Sequence, residues 1–480
     1  MICPAPLTCP ICSAGLSSGP KIPKLGQSSD DLQFYCMFDS RMVCRYDFPM
    51  QIVMNLIYGF ALVLYSPKIL YRRLFENRYR SGWRQRCGFI DRRRPDQPCI
   101  WIHAVSVGEV NAARTLIDQL RRQMPDYEVV LSSTTDTGLA RAKALYEKDL
   151  SVFYFPFDFS WIMRRALDRL QPAMILLMEL EVWPNLASIA AERGIPVVVV
   201  NGRLSDKSFP KYQKIRPLVR AMFGKVALVL AQTDEYARRF IDLGCQPQKV
   251  IVTSSLKYDT AQTEGSVCGA DRLAQQIRLG DEPLWVAGGT GPGEEKIVLD
   301  VFAKLRQDSR LTALRLAIIP RKPERFDEVA ALIEQSGFDY VRYSVLKEQD
   351  SQAAGKPAVV LGDTMGDLKK FYALAAVVFV GRSLVPMGGS DMMEPAALGK
   401  CTIFGPHTFN FKQTVEVLLE GGGAVEAADE KALYEKTLQC LTDAAYASAI
   451  AAEGQAIIRQ NQGATKKTLD AIGLLLENKR

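Results

Sequence analysis

Cysteine is scarce: 11 in 480 residues are too few for a disulfide scaffold, and the six beyond position 80 (Cys87, Cys99, Cys245, Cys268, Cys401 and Cys440) show no paired spacing. The compartment reads as reducing. Five cluster early, at Cys3, Cys9, Cys12, Cys36 and Cys44, where Cys9-Pro-Ile-Cys12 offers half of a zinc knuckle with no matching second half. Residues 1–53 therefore read as a Cys-containing leader, disordered or non-native, with Met54 as an alternative start. Long apolar runs are as rare, which excludes a multi-span membrane protein, and the 48% hydrophobic and 24% charged residues exclude collagen-like and disordered chains. Evenly spread basic charge is missing too. The net charge is +7, yet residues 66–94 alone hold ten basic and two acidic residues. A nucleic-acid binder spreads basic surface over a folded domain, so no nucleic-acid partner is expected, and one basic block beside an apolar run suits anionic lipid better.

That apolar run is IVMNLIYGFALVLY, residues 52–65, and reaching back to Phe48 it covers about eighteen positions interrupted by Pro49, Gln51 and Asn55. This is the lower limit for crossing a bilayer. The basic block follows at once, so residues 54–94 read as a membrane anchor with a basic collar, and the positive-inside rule puts the rest in the cytoplasm. Trp83, Tyr65, Tyr71 and Tyr79 are candidate interfacial anchors. The alternative is an apolar helix lying on a soluble domain.

From Cys99 onward, short β-branched runs alternate with amphipathic stretches, the mark of parallel sheets covered on both faces. CIWIHAV, YEVVLSS, VFYFPF, AMILLME, PVVVVNG, ALVLAQ and KVIVTSS predict seven strands; a polar segment near 260–282 reads as a linker; PLWVAGG, LRLAIIP, DYVRYS, AVVLGD, VVFVG and CTIFG predict six more. The expected fold is α/β: two doubly wound Rossmann-like domains, 95–262 and 280–480, facing a cleft. Ligands in such sheets gather at the carboxyl ends of strands.

Several motifs sit at those junctions. His103-Ala-Val-Ser-Val-Gly-Glu109 is a glycine-containing turn without the Gly-x-Gly-x-x-Gly cradle of a dinucleotide site. Its glutamate suits a general base, or else only complements a helix dipole. Met178-Glu-Leu-Glu-Val-Trp-Pro-Asn185 sets Glu179 and Glu181 two apart, on one side if the strand continues, or as caps at its exit. Ile319-Pro-Arg-Lys-Pro-Glu-Arg-Phe326 offers two arginines and a lysine suited to a phosphate held without a metal. Gly362-Asp-Thr-Met-Gly-Asp367, Val380-Gly-Arg-Ser383 and Met387-Gly-Gly-Ser-Asp-Met-Met-Glu394 end later strands, the last opening a helix, and together they suggest a nucleotide site.

The ordered set HAVSVGE, TDTG, MELEVWPN, NGRLSDKS, SLKYD, PRKPERF, GDTMGDL and GPHTFNF resembles the 3-deoxy-D-manno-octulosonic acid (Kdo) transferases of lipopolysaccharide synthesis, which have the B-type glycosyltransferase architecture and a short apolar anchor. The resemblance runs from about Met54 to the end. It implies Glu109 as acceptor of the hydroxyl proton of a lipid A precursor (lipid IVA), and Glu179 and Lys257 as stabilisers of the transition state. Pro320 and Arg321 would grip the CMP part of the donor CMP-Kdo, lined also by Met365, Gly366, Asp367, Asp391, Met392, Met393 and Glu394. It further implies inversion at the sugar, no metal, no cofactor beyond the donor, and a place on the cytoplasmic face of the inner membrane. Against the family's usual pattern, Arg382 replaces a glycine, Lys322 a histidine and Asp367 a glutamate, and Ser390-Asp-Met-Met-Glu394 an asparagine-containing segment. His407 either packs a turn or contacts the ligand. The rival readings are another two-domain sugar-nucleotide enzyme, such as a different nonulosonate transferase or an epimerase, and an inactive membrane-bound scaffold.

Overall fold

The structure, a computed structural model, describes residues 47–75, 81–263 and 266–477. The cysteine leader up to residue 46, with its half knuckle, and Tyr79 lie outside these residues. The chain forms two units: one holds the described residues up to Ser255 together with Thr465 onward, the other Leu256–Ala464.

The first unit is built on seven parallel strands: β1 (Cys99–His103), β2 (Glu128–Ser133), β3 (Ser151–Tyr154), β4 (Pro172–Met178), β5 (Val197–Gly202), β6 (Leu228–Ala231) and β7 (Val250–Val252). Their order is β3-β2-β1-β4-β5-β6-β7. Every residue of β1, β2 and β5 is buried, because helices cover both faces of a parallel sheet and leave no polar side for alternation. The order reverses between β1 and β4. Ser106, Thr135 and Thr233 cap the helices Val107–Ala112, Asp136–Tyr146 and Asp234–Asp242 by accepting a backbone N–H, while Pro184 opens Pro184–Glu192, where no N–H is needed.

The second unit repeats the plan with β8 (Leu284–Thr290), β9 (Arg315–Pro320), β10 (Tyr340–Arg342), β11 (Val359–Leu361), β12 (Val377–Val380), β13 (Cys401–Phe404) and β14 (Val425–Glu426), in the order β10-β11-β9-β8-β12-β13-β14. Here the reversal lies between β8 and β12. The expected strands are present, joined by β14, whose two residues are too short to print a pattern. The segment expected as a linker folds instead: helix Ala270–Gln276 buries Leu273, and Ile277 after it is buried too. About two turns are too few for a helical period to show.

The unit limits also differ from the expected 95–262 and 280–480. Leu256–Asp259 is a helical turn of the second unit, where Gln462 donates to the Tyr258 carbonyl (2.9 Å) and the Gly463 N–H to Asp259 (2.7 Å). The last helix, Ala464–Glu477, carries Ile472 and Leu476, both buried, in the first unit.

The apolar run is helical over Asp47–Phe75, and Met50–Lys68 is long and apolar enough to cross a membrane. Its polar interruptions have a use that the sequence does not display. Gln51, Asn55 and Tyr58 recur at helical spacing and bond to the first unit: Gln51 to Glu192 and Arg164, Asn55 to Ser160 (2.8 Å), and the Tyr58 hydroxyl to Asp158 (3.1 Å). Leu56, Phe60, Val63 and Leu64 stay exposed. Part of the basic collar is likewise structural. Arg86 is buried with its guanidinium 4.0 Å from the centre of the Tyr154 ring, and Arg92 donates to Glu128 (2.8 Å) and the Leu170 carbonyl (2.9 Å).

Candidate active site

In the first unit both candidate acids stand where the strand order reverses, the position at which open α/β sheets bind ligands. Glu109 lies in the first turn after β1, and Glu179 directly follows β4. Ser106 and Glu109 close a box related to the capping box but shifted by one residue: the serine hydroxyl accepts from the Glu109 N–H (3.4 Å) and donates to its carboxylate (2.9 Å), whose other oxygen accepts from the N–H of Val105, the residue before the cap (2.9 Å). The Val105 carbonyl is held in turn by the Ser133 and Thr135 hydroxyls, at 2.9 and 2.8 Å. A side chain on Gly138 would run into this clamp, 2.4 Å from the Ser133 hydroxyl and 2.8 Å from the Val105 carbonyl, which explains the glycine of TDTG.

Burial raises the Glu109 carboxyl to about 7, with the charges of Glu179 and Glu181 adding to it and the Val105 and Ser106 bonds opposing it. Burial also raises Glu181, with Glu179 reinforcing the shift. The three acids thus feel one another. They do not meet as a continuing strand: β4 ends at Met178, and Glu179 turns the chain with φ 58°, so the period-two expectation for Glu179 and Glu181 is replaced by a turn.

Two supports were not visible as site residues in the sequence. Burial depresses the His103 imidazole to about 3, so it is neutral; it lies 3.9 Å from the Phe155 ring and bonds Ser132 through Nδ1. Asp158 accepts the Asn185 and Leu186 N–H groups (2.9 and 2.8 Å), pinning the start of the helix after Trp183, and burial raises its carboxyl to about 7. Only a spatial pairing, not a spacing, marks either.

In the second unit the ends of β8 and β12 come together through glycines. Gly289 has φ 68° and a side chain there would meet Ser390, whose hydroxyl donates to the Gly289 carbonyl (2.7 Å). Glu294, fully buried, accepts the N–H groups of Gly291, Ser383 and Leu384 at 2.8 to 2.9 Å and also that of Arg382. Burial pushes its carboxyl up against those four bonds. Arg382 has φ 60°. The position thus has the left-handed backbone that glycine takes freely and arginine does not.

Lys257, Arg321, Asp391 and Glu394 share one electrostatic cluster. Burial raises Asp391, opposed by the Met393 N–H (2.9 Å), Lys257 and Arg321; burial and then Asp391 raise Glu394 to about 7, opposed by Lys369 and Arg321. Lys369, absent from the sequence expectation, is itself lowered by burial, with Glu394 opposing. Pro320 ends β9 and is buried, and the Arg321 N–H donates to the Thr290 carbonyl of β8 (3.1 Å) while its side chain is exposed.

The two other expected parts differ in what they expose. Met392 and Met393 are buried in the core, so they offer a ligand main-chain atoms rather than thioethers. Met365 is exposed and Gly366 has φ 92°, whereas the Asp367 carboxylate is taken up by Lys347 and Thr364 (each 2.6 Å) and Lys370 (2.7 Å). The second arginine of PRKPERF is not available to a phosphate: Arg325 is buried against Glu295 and also pairs with Glu328 (2.7 Å). His407 donates its N–H to the Ser383 carbonyl (2.9 Å). Among the described residues no group of three or more His, Cys, Asp or Glu is placed to hold a metal ion.

Residues 81–260 match the family profile described as 3-Deoxy-D-manno-octulosonic-acid transferase (kdotransferase). The chain is 33% identical over 404 residues to the 3-deoxy-D-manno-octulosonic acid transferase of Haemophilus influenzae, covering 83% of this chain and 92% of that one. It is 34% identical over 391 residues to that of Bordetella pertussis, covering 78% and 86%. Among solved structures, the UDP-GlcNAc 2-epimerase from Neisseria meningitidis bound to UDP-GlcNAc is 13% identical with a TM-score of 0.52, over 78% of this chain and 99% of that one; this likeness shows the fold alone, two Rossmann-like domains. With two relatives above 30% identity matched over most of their length, the chain belongs to the 3-deoxy-D-manno-octulosonic acid transferase family.

Proposed function

We propose that the protein transfers Kdo from CMP-Kdo to a hydroxyl of a lipid A precursor such as lipid IVA, with inversion, at the cytoplasmic face of the inner membrane. The observation that carries this reading is the acid cluster at the reversal point of the first sheet, where Glu109 sits near 7, the range of an effective general base at neutral pH. Deprotonated Glu109 takes the proton of the attacking hydroxyl. A single displacement then inverts the sugar carbon and releases CMP. The second unit holds the donor: Arg321 pairs with its phosphate, and Lys257 and Lys369 balance the charge that grows on the leaving group, so no metal is needed for that task. Asp391 and Glu394, whose carboxyls burial pushes upward, serve sugar hydroxyls rather than opposing the phosphate. Pro320, Met365, Gly366, Asp367, Met392 and Met393 shape the nucleotide pocket, the last two through their backbone.

The apolar helix serves as the membrane attachment. Gln51, Asn55 and Tyr58 are bonded to the first unit, so the remaining turns to Lys68 are too few to cross a bilayer, and the helix lies on the membrane with Leu56, Phe60, Val63 and Leu64 in the lipid. The test is CMP release with CMP-Kdo and lipid IVA. Release by the unsubstituted protein and its loss in Glu109→Ala support the reading. Absence of release, or an unchanged rate in Glu109→Ala, overturns it.

A further inference from the structure

Beside the acid cluster, within the first unit, a groove of about 260 Å³ opens between the apolar helix and the loops that follow β3 and β4. Ala61, Leu62 and Tyr65 form one wall, and Phe157, Phe159 and Trp183 the other. The polar groups at one end, the Tyr58 hydroxyl and the Asp158 carboxylate, bond to each other at 3.1 Å, and Asp158 is further engaged by two backbone N–H groups. The only other polar groups on the wall residues named are the buried Trp183 indole N–H and the Tyr65 hydroxyl, which stands at the exposed mouth. A surface this apolar takes hydrocarbon.

Two features select which hydrocarbon. Leu62 and Tyr65 are 46% and 60% exposed at the groove's mouth, and Phe60, Val63 and Leu64 are exposed on the other faces of the same turns, so the mouth opens beside the apolar side chains assigned to the lipid. The opposite wall leads to the acids. Trp183 is two residues from Glu181 and four from Glu179, and its ring lies tilted against Phe155 (6.0 Å), which stacks on His103 (3.9 Å), the last residue of β1. Through Trp183 the groove leads by the chain toward three carboxyl groups that interact with one another, the side on which the head of a molecule with its tail in the groove would lie. A phospholipid would set its phosphate there and be repelled, whereas a sugar hydroxyl is what such a cluster accepts.

We infer that this groove binds one fatty acyl chain of the lipid acceptor and so registers its reacting hydroxyl against Glu109. The inference rests on the lipid-acceptor reading above. Trp183 is then a positioning residue, and acceptor acylation contributes to KM rather than to the chemical step.

The test uses the full chain in phosphatidylcholine vesicles, with lipid IVA carrying a diazirine in one acyl chain. Irradiation is expected to label Trp183, Phe159 or Leu62, and the labelling to fall at least about fivefold with excess unlabelled lipid IVA but not with excess phosphatidylethanolamine. Equal suppression by the phospholipid overturns the inference and makes the groove a membrane-lipid seat. In parallel, Ala61→Phe, which fills the groove away from the acids, is expected to raise KM for lipid IVA about tenfold with kcat and CMP affinity unchanged. An unchanged KM overturns it. Labelling elsewhere while CMP is still released rejects the groove and leaves the transferase reading standing; no CMP release from the unsubstituted protein rejects both.

Discussion

The Ser106 hydroxyl and the Glu109 carboxylate stand 2.9 Å apart and cap one helix, so the proposed base is also the residue that finishes the first turn after β1. Glu109 therefore carries two separable effects. Its carboxylate fixes the turn whether or not a substrate is bound, and burial with its acidic neighbours raises its affinity for a proton.

Replacing it separates them. Glu109→Gln keeps an acceptor for the Val105 N–H and turns an NH2 donor toward the Ser106 hydroxyl, and is expected to lower kcat by about 10²- to 10⁴-fold with little change in melting temperature. Glu109→Ala loses the same activity and also about 1 kcal/mol of stability through the broken box. Steady-state CMP release and thermal melting read the two effects separately.

The pH dependence has a defined sign. Glu109 must be deprotonated to accept a proton, so kcat/KM is expected to rise with pH through an apparent value near 7. Glu179 raises Glu109, so Glu179→Gln removes a repelling charge and shifts the acid limb to lower pH. A limb that stays in place, measured as kcat/KM from pH 5 to 9, contradicts the coupling.

Arg321 and Arg325 are four residues apart and should fail differently. Arg321 is exposed, and Arg321→Ala is expected to weaken CMP binding about tenfold or more at unchanged melting temperature. Arg325→Ala leaves Glu295 buried without its partner and is expected to destabilise the second unit by about 3–5 kcal/mol. Calorimetric titration with CMP and denaturant unfolding distinguish them.

Arg382 has a backbone suited to glycine. Arg382→Gly is expected to stabilise the protein by about 1 kcal/mol, since it relieves the left-handed strain and loses only a 3.2 Å bond to the Met387 carbonyl. A lower melting temperature in the variant would mean that the side chain contributes more than the strain takes away.

Strands and their junctions were legible because burial on both faces writes apolar, largely β-branched runs; Glu179 and Arg321 follow such runs directly, and Glu109 stands in the first helical turn after one. Features made by pairing across the fold were not. Nothing in PRKPERF distinguishes Arg321 from Arg325 until Glu295 is seen against the second. Gln51 and Asn55 look like blemishes in an apolar run, yet they are its docking face, because helical spacing alone does not say which side meets protein. Helix Asp136–Tyr146 buries Leu139, Ala142 and Tyr146 among alternating alanines and basic residues, too faint a stripe to stand out. His103 and Asp158 find their partners only among residues distant in sequence.

The return of Thr465 onward to the first unit bears on biosynthesis. A ribosome that has delivered all seven strands of that unit has still to make the whole second unit before Ile472 and Leu476 can fill their places. The amino-terminal body must therefore wait, incompletely sealed, through some two hundred further residues of translation. A short deletion at the carboxyl terminus would accordingly injure the half of the protein made first.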